Sequence, residues 1–127
     1  MSALLDIIRT RLIAAGAANT STWKCYIGFC PDAAEQLMSL HLSGGYPQET
    51  MEDDYSIETF QLRVRSGVYT TCEAKWQACY SALHGQEDAI GNSIRLIQAM
   101  ASGPLEYYDD LKRVNMTMNL RVIRDRA

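Results

Sequence analysis

The sequence predicts an α+β fold, with a single mixed, largely antiparallel β-sheet and two main helices packed on one of its faces. Three observations predict it. Residues 57–65 and 114–123 alternate apolar and polar side chains with the period of a half-buried strand. The first of these passes within a few residues into a helical stripe of Tyr69, Cys72, Trp76, Cys79, Tyr80 and Leu83. The order along the chain is helix, strands, helix, strands, which suits helices gathered on one side of one sheet.

Taken in order, Ser2 caps a first helix running to about residue 15. Leu4, Leu5, Ile8, Leu12 and Ile13 supply its apolar face, and Gly16 stops it. Residues 19–22 read as a loop. Trp23, Cys25, Ile27 and Phe29 alternate against Lys24, Tyr26 and Gly28, giving a first strand that Pro31 ends. A helical turn fits residues 32–37. Residues 36–42 form a second strand with Met38, Leu40 and Leu42 inward and Leu37 and His41 outward, toward a neighbouring subunit. Residues 43–56 make a long, flexible loop holding Gly44, Gly45 and Pro47 and then an acidic run; loops of that length are functional or disordered.

In the third strand Phe60, Leu62 and Val64 point one way, and Thr59, Gln61, Arg63 and Arg65 the other. Ser66 and Gly67 separate it from the helix over 69–83, which Gly85 ends. Residues 92–100 fit a strand or a short helix, because Ile94, Leu96, Gln98 and Met100 alternate while Ile97 breaks the pattern. Gly103-Pro104 is a turn, and 105–113 an irregular link. The last strand is the cleanest: Val114, Met116, Met118, Leu120 and Val122 share one face, and Asn115, Thr117, Asn119 and Arg121 the other.

A chain of 127 residues suits one domain, taken as 1–127, with 47% apolar and 21% charged residues. No apolar run is long enough to span a bilayer. Asp6, Arg9 and Arg11 interrupt the apolar N-terminus, so it reads as an amphipathic helix and not as a signal peptide, with synthesis in the cytosol. A net charge of −3 is too mild to indicate nucleic acid as a partner. Its distribution is more telling. Glu49, Glu52, Asp53, Asp54 and Glu58 form an acidic run, whereas Lys112, Arg113, Arg121, Arg124 and Arg126 collect near the C-terminus. Two readings stand: a pair of solvated surfaces, or complementary faces for self-assembly or a partner.

Catalytic and metal-binding patterns do not emerge. The four cysteines, Cys25, Cys30, Cys72 and Cys79, have neither zinc-ribbon nor CxxC spacing and read as buried reduced thiols. His41 and His84 are isolated; His84 sits at a helix end, where a protonated ring suits the dipole. The acid pairs Asp53-Asp54 and Asp109-Asp110 read as solvated. No phosphate loop, nucleophile elbow or HExxH is present, and no cofactor is implied. Arg63 and Arg65 share the polar face of their strand. They serve either a partner, through bidentate carboxylate pairs, or ion pairs within the sheet.

The run FQLRVRSGVYTTCEAKWQACYSALHG resembles the tail terminator, or tail-completion, proteins of long-tailed bacteriophages, whose relatives are also called minor capsid proteins. Gln61, Arg63, Arg65 and Tyr69 match that family's strand-to-helix passage. Asp109-Asp110, Arg113 and the strand that follows match its closing turn and strand. The order and size match across nearly the whole chain.

The resemblance implies a non-enzymatic virion protein. It would form a ring, typically a hexamer, that caps the head-proximal end of the tail tube, stops its polymerisation and joins the tail to the head connector or stopper. The implied partners are further copies of the chain, the tail tube protein and the connector, with no membrane and no sequence-specific nucleic acid, although DNA passes through such a ring. The implied location is the virion neck, reached by assembly in the host cytoplasm. Charged contacts are expected from Glu49, Glu52, Asp53, Asp54 and Glu58, and from the outward arginines Arg63, Arg65, Arg121, Arg124 and Arg126. The alternatives are another neck or head-completion ring protein, a small partner-binding α+β module, or a small enzyme using a cysteine or carboxylate.

Overall fold

A computed structural model describes residues 4–28, 31, 36–44, 55–87, 94–101 and 103–125. The elements are α1 (Leu4–Ala14), β1 (Cys25–Ile27), β2 (Leu37–Leu42), β3 (Tyr55–Ser66), α2 (Tyr69–Leu83), β4 (Ile94–Ala99), β5 (Leu105–Tyr108) and β6 (Val114–Asp125). The sheet runs β1-β2-β3-β6-β4, and β5 also pairs with β6. Only β1 and β2 pair in parallel; the other neighbours are antiparallel. This is the α+β class that the sequence predicts.

The centre of the sheet is the long ladder between β3 and β6, each of 12 residues, paired from Tyr55↔Asp125 to Ser66↔Val114. The predicted alternation holds in both strands. Phe60, Leu62 and Val64 of β3 and Met116, Met118, Leu120 and Val122 of β6 are buried in the core. Against them α2 lays Cys72, Trp76, Cys79 and Leu83, spaced to fall on one helical face. Tyr80 is half-buried beside them, and Tyr69 is exposed at the helix start, a departure from the predicted stripe. The Tyr69 hydroxyl instead donates to the Glu106 carboxylate of β5. The passage into α2 uses Ser66, whose Oγ accepts the Val68 N–H at 3.2 Å.

α1 packs against α2, β1 and β2. It buries Leu4, Leu5, Ile7, Ile8 and Leu12. Ile13, predicted inward, is exposed, and Ile7 takes its place, because the buried arc is centred on Ile8. Gly16 stops the helix at φ +81°, with Gly16 N–H on Ile13 O at 3.1 Å and Ala17 N–H on Leu12 O at 3.0 Å, a Schellman closure with Ala17 buried near Leu12. In the following loop the Asn19 Oδ1 accepts the N–H groups of Ser21, Thr22 and Trp23.

Three further expectations are corrected and one alternative is resolved. β1 is shorter than predicted, and Ile27 at its end is exposed. In β2 Leu37 shares the outer face with its partner Arg65, as expected, yet is fully buried, and Leu42 at the far end of the strand is exposed. Of the predicted 92–100, residues 92–93 lie outside the described residues and Ile94–Ala99 form the strand β4. Its register shifts between Ile94 and Leu96, and this irregularity lets Ile94 and Ile97 both face the core despite their spacing. The irregular link over 105–113 contains a strand, β5, which all-round exposure hides from any alternation test. The predicted turn near Asp32, the Ser2 cap, and residues 45–54 of the predicted loop lie outside the described residues.

Candidate assembly surface

The face of the sheet turned away from the helices carries the odd-numbered residues of β3 and β6. It is polar, yet much of it is buried: Ser39, Arg65, Asn115 and Thr117 are all shielded from water. The backbone turn between β5 and β6 organises one end of it. Asp109 N–H donates to Arg113 O at 3.1 Å, Lys112 N–H to Asp109 O at 2.9 Å, and Lys112 takes a left-handed φ of 60°. The Asp109 carboxylate then holds the turn from within. Its Oδ1 accepts the N–H groups of Leu111 and Arg113, both at 3.0 Å, and its Oδ2 accepts Arg113 Nε at 2.9 Å.

Burial pushes the Asp109 carboxyl up. Hydrogen bonds from the Arg113 backbone, the Asn115 amide, the Arg113 guanidinium and the Leu111 backbone outweigh it, so the group sits below its ordinary 3.8. The predicted solvated acid pair is thus half structural: Asp109 builds the hairpin and Asp110 is exposed.

Next to this turn lie the two arginines of β3. Arg63 Nη1 donates to the Tyr107 hydroxyl at 3.3 Å, and Arg65 Nη2 to the Pro31 carbonyl at 2.7 Å. Arg63, Arg65, Tyr107, Asp109 and Arg113 line a cleft of about 500 Å³. Asp110 lines it too, so three guanidinium groups share the cleft with two carboxylates. The sequence did not single out Tyr107 or Asn115 as neighbours of these arginines; the hint was the Asp109–Arg113 spacing, which fits a side chain closing its own turn.

At the other end of the ladder, Arg124 Nη1 meets Glu58 Oε2 at 3.3 Å, and the Arg121 guanidinium donates to Gln98 Oε1 through Nε at 2.8 Å. These placements bear on three expectations. Arg65 lies on the face away from the helices, as expected, but is only 3% exposed, near the end of β3 with its guanidinium on the Pro31 carbonyl. Arg124 is only 6% exposed and shares the parity of Val122, on the helix side of the sheet, so it does not point outward. Glu58, grouped with the acids of the preceding run, lies in β3 within the predicted strand and bonds Arg124 of its own chain. Arg63 and Arg121 are half-buried. Glu49, Glu52, Asp53, Asp54 and Arg126 lie outside the described residues.

The remaining candidates for chemistry are structural. Cys25, Cys72 and Cys79 are buried thiols. Burial pushes the Cys72 thiol up to about 11 and the Cys79 thiol up to about 12, far from the thiolate needed for nucleophilic work. His84 Nδ1 accepts the Ala99 N–H at 3.0 Å, tying α2 to β4, and its ring stacks on Tyr80. His41 contacts Ser39 Oγ through Nε2 at 3.0 Å. Among the described residues no cluster of three potential metal ligands occurs, and no helix is long and apolar enough to cross a membrane.

The profile of the bacteriophage tail terminator protein family matches residues 6–126. The chain belongs to that family. It is therefore a structural protein of the phage tail, and its family is one of virion components and not of enzymes. Among the solved structures, a chain from the virion of a native gene transfer agent particle shares the fold, with a TM-score of 0.73 at 13% identity. The match covers 98% of the present chain and 96% of the other. No curated protein matches the sequence.

Proposed function

We propose that this tail terminator acts as a ring, typically of six copies, on the head-proximal end of the tail tube. There it stops tube polymerisation and presents a surface to the head connector or stopper. The whole chain serves as one such domain, and the acidic stretch between β2 and β3 adapts to the partner it meets. The reading is supported above all by the family match over residues 6–126. The fold shared with a gene transfer agent virion chain is consistent with it.

The charged contacts of the assembly fall to Glu49, Glu52, Asp53 and Asp54 on one side. On the other they fall to Arg63, Arg121 and Arg126. Glu58, Arg65 and Arg124 set the sheet in place behind them. The partners are further copies of the chain, the tail tube protein and the connector; DNA passes through without being read. Assembly takes place in the host cytoplasm and ends in the virion neck.

Co-expression with the tail tube protein tests the reading. The expected result is co-purification and a ring at one end of each tube in negative stain. A chain that stays monomeric and never appears on tubes contradicts it.

A further inference from the structure

β6 is flanked by β3 over its whole length, whereas its other side is shared by β4 and β5. The β4 pairing ends at Ala99↔Leu120 and the β5 pairing begins at Leu105↔Thr117, so Met118 and Asn119 fall in a gap between the two strands. A cavity of about 350 Å³ opens at this gap, with Trp76, Met100, Leu105 and Met118 among its walls. The outer edge of β4 is closed by the turn after α2: Gly85 N–H donates to Ile97 O at 2.8 Å, and Ile97 N–H to Gln86 O at 2.9 Å. β5 has no strand on its outer side among the described residues.

The ladder fixes which groups of β5 face outward. Asp109 N–H donates to Arg113 O, so hydrogen-bonded pairing continues at intervals of two through 107↔115 and 105↔117. The N–H and C=O groups of Glu106 and Tyr108 therefore point away from β6. The side chains alternate as well. Leu105 and Tyr107 share a face with Thr117 and Asn115 and are 67% and 44% exposed. Glu106 and Tyr108 lie on the helix side, and both are exposed. There Glu106 accepts the Tyr69 hydroxyl, and the exposed Glu73 of α2 is close enough to act on the same hydroxyl. Edges that keep exposed apolar side chains are templates for another strand, and folded proteins usually blunt them.

We propose that the edge of β5 takes up an extended segment of another tail protein as an added strand, and that this segment alternates apolar and basic residues. The proposal rests on the part of the reading above in which the chain presents a surface to other tail proteins, and it names that surface. In strand addition, backbone pairing supplies affinity and pockets for alternate side chains supply the choice of partner. Glu106 and Tyr108 offer the backbone groups. Apolar residues of the segment lie beside Leu105 and Tyr107, and one of them enters the cavity that Leu105 helps to wall. Basic residues at the alternate positions meet Glu106 and Glu73, with the exposed rings of Tyr69 and Tyr108 alongside.

A second copy of this chain is a poorer occupant. β4 is closed, and Cys25 in β1 already has a further interaction. Pairing β5 with itself joins even-numbered residues to even-numbered residues. Two Glu106 carboxylates then share one face of the joined sheet, where like charges oppose the pairing.

The test adds a short synthetic peptide, lysine alternating with valine or leucine, to the full chain and follows the protein amides by NMR. Saturable binding that shifts the Glu106 and Tyr108 amides and protects them from exchange is expected. Methylating the peptide nitrogens at every second residue keeps its side chains and removes half its donors. In one phase this is expected to weaken binding about tenfold or more, and in the other far less. A peptide with glutamate in place of lysine is expected to bind about tenfold more weakly, and Glu106→Gln to weaken binding of the lysine peptide. No binding at about millimolar peptide, or equal binding by both methylated forms, overturns the strand addition. Equal binding by the glutamate peptide overturns the basic partner. Rings on tail tubes are scored separately in negative stain. Rings without peptide binding overturn this site and leave the proposed function intact; a chain that binds the peptide but never joins tubes keeps the edge site and overturns its tail partner.

Discussion

The two faces of the sheet both exclude much water, but they do so by different means. The helix side is a close-packed apolar layer in which Phe60, Leu62 and Val64 meet Trp76 and the buried cysteines of α2. Most of its contacts are non-directional packing, joined by the bonds of Trp76 Nε1–H to Thr117 O and Cys72 Sγ–H to Val64 O. The opposite side buries Arg65, Asn115 and Thr117, and directional bonds hold the group around them: Arg65 to Pro31, Arg63 to Tyr107, Arg113 to Asp109. The first face makes the fold. The second holds charged groups in set positions beside the edge of β5, which has no strand partner among the described residues.

Breaking the apolar side is expected to have the largest effect. Trp76→Ala removes a fully buried side chain and its Nε1–H bond to Thr117 O at 3.1 Å. Loss of about 3–5 kcal/mol in denaturant unfolding is expected. A loss well under that range contradicts the assignment of stability to this face.

The polar side is expected to cost less to break. Asp109→Ala leaves the turn donors without their acceptor and is expected to lose about 1–3 kcal/mol. Because the carboxyl is held below 3.8, its contribution is present above that pH and fades as pH falls through the lowered folded-state value. Acid titration of Asp109→Asn against the native chain checks this: the variant is expected to lose less stability on acidification, and parallel curves contradict the assignment.

The smallest effect concerns His41, whose ring lies below its ordinary 6.5 through burial and then through the nearby Arg63 charge. The unfolded chain binds the proton first, so stability declines as pH drops below 6.5 and levels off beneath the folded-state value. His41→Gln is expected to flatten that decline; an unchanged slope assigns it elsewhere.

Legibility in the sequence follows from which force shapes each part. β3, β6 and α2 were readable because one face of each is buried, which imprints a period on the chain. α2 was located to the residue, Tyr69 to Leu83. β5 left no such imprint, since its four residues are all exposed. Ile97 looked anomalous in β4 because the shift of register near Leu96 changes which residues share a face. The burial of Arg65 and Arg124 is set by tertiary neighbours, Pro31 and Glu58, far away along the chain. Asp109 looked solvated because a carboxylate satisfied by its own turn has the same local sequence as one satisfied by water.

The central claim is that this chain ends tail tubes. It is tested most directly by polymerising the tail tube protein alone and with this chain present, and measuring tube lengths in negative stain. The account predicts shortened tubes with one end closed by a ring. Tubes of unaltered length, with the chain absent from their ends, contradict it.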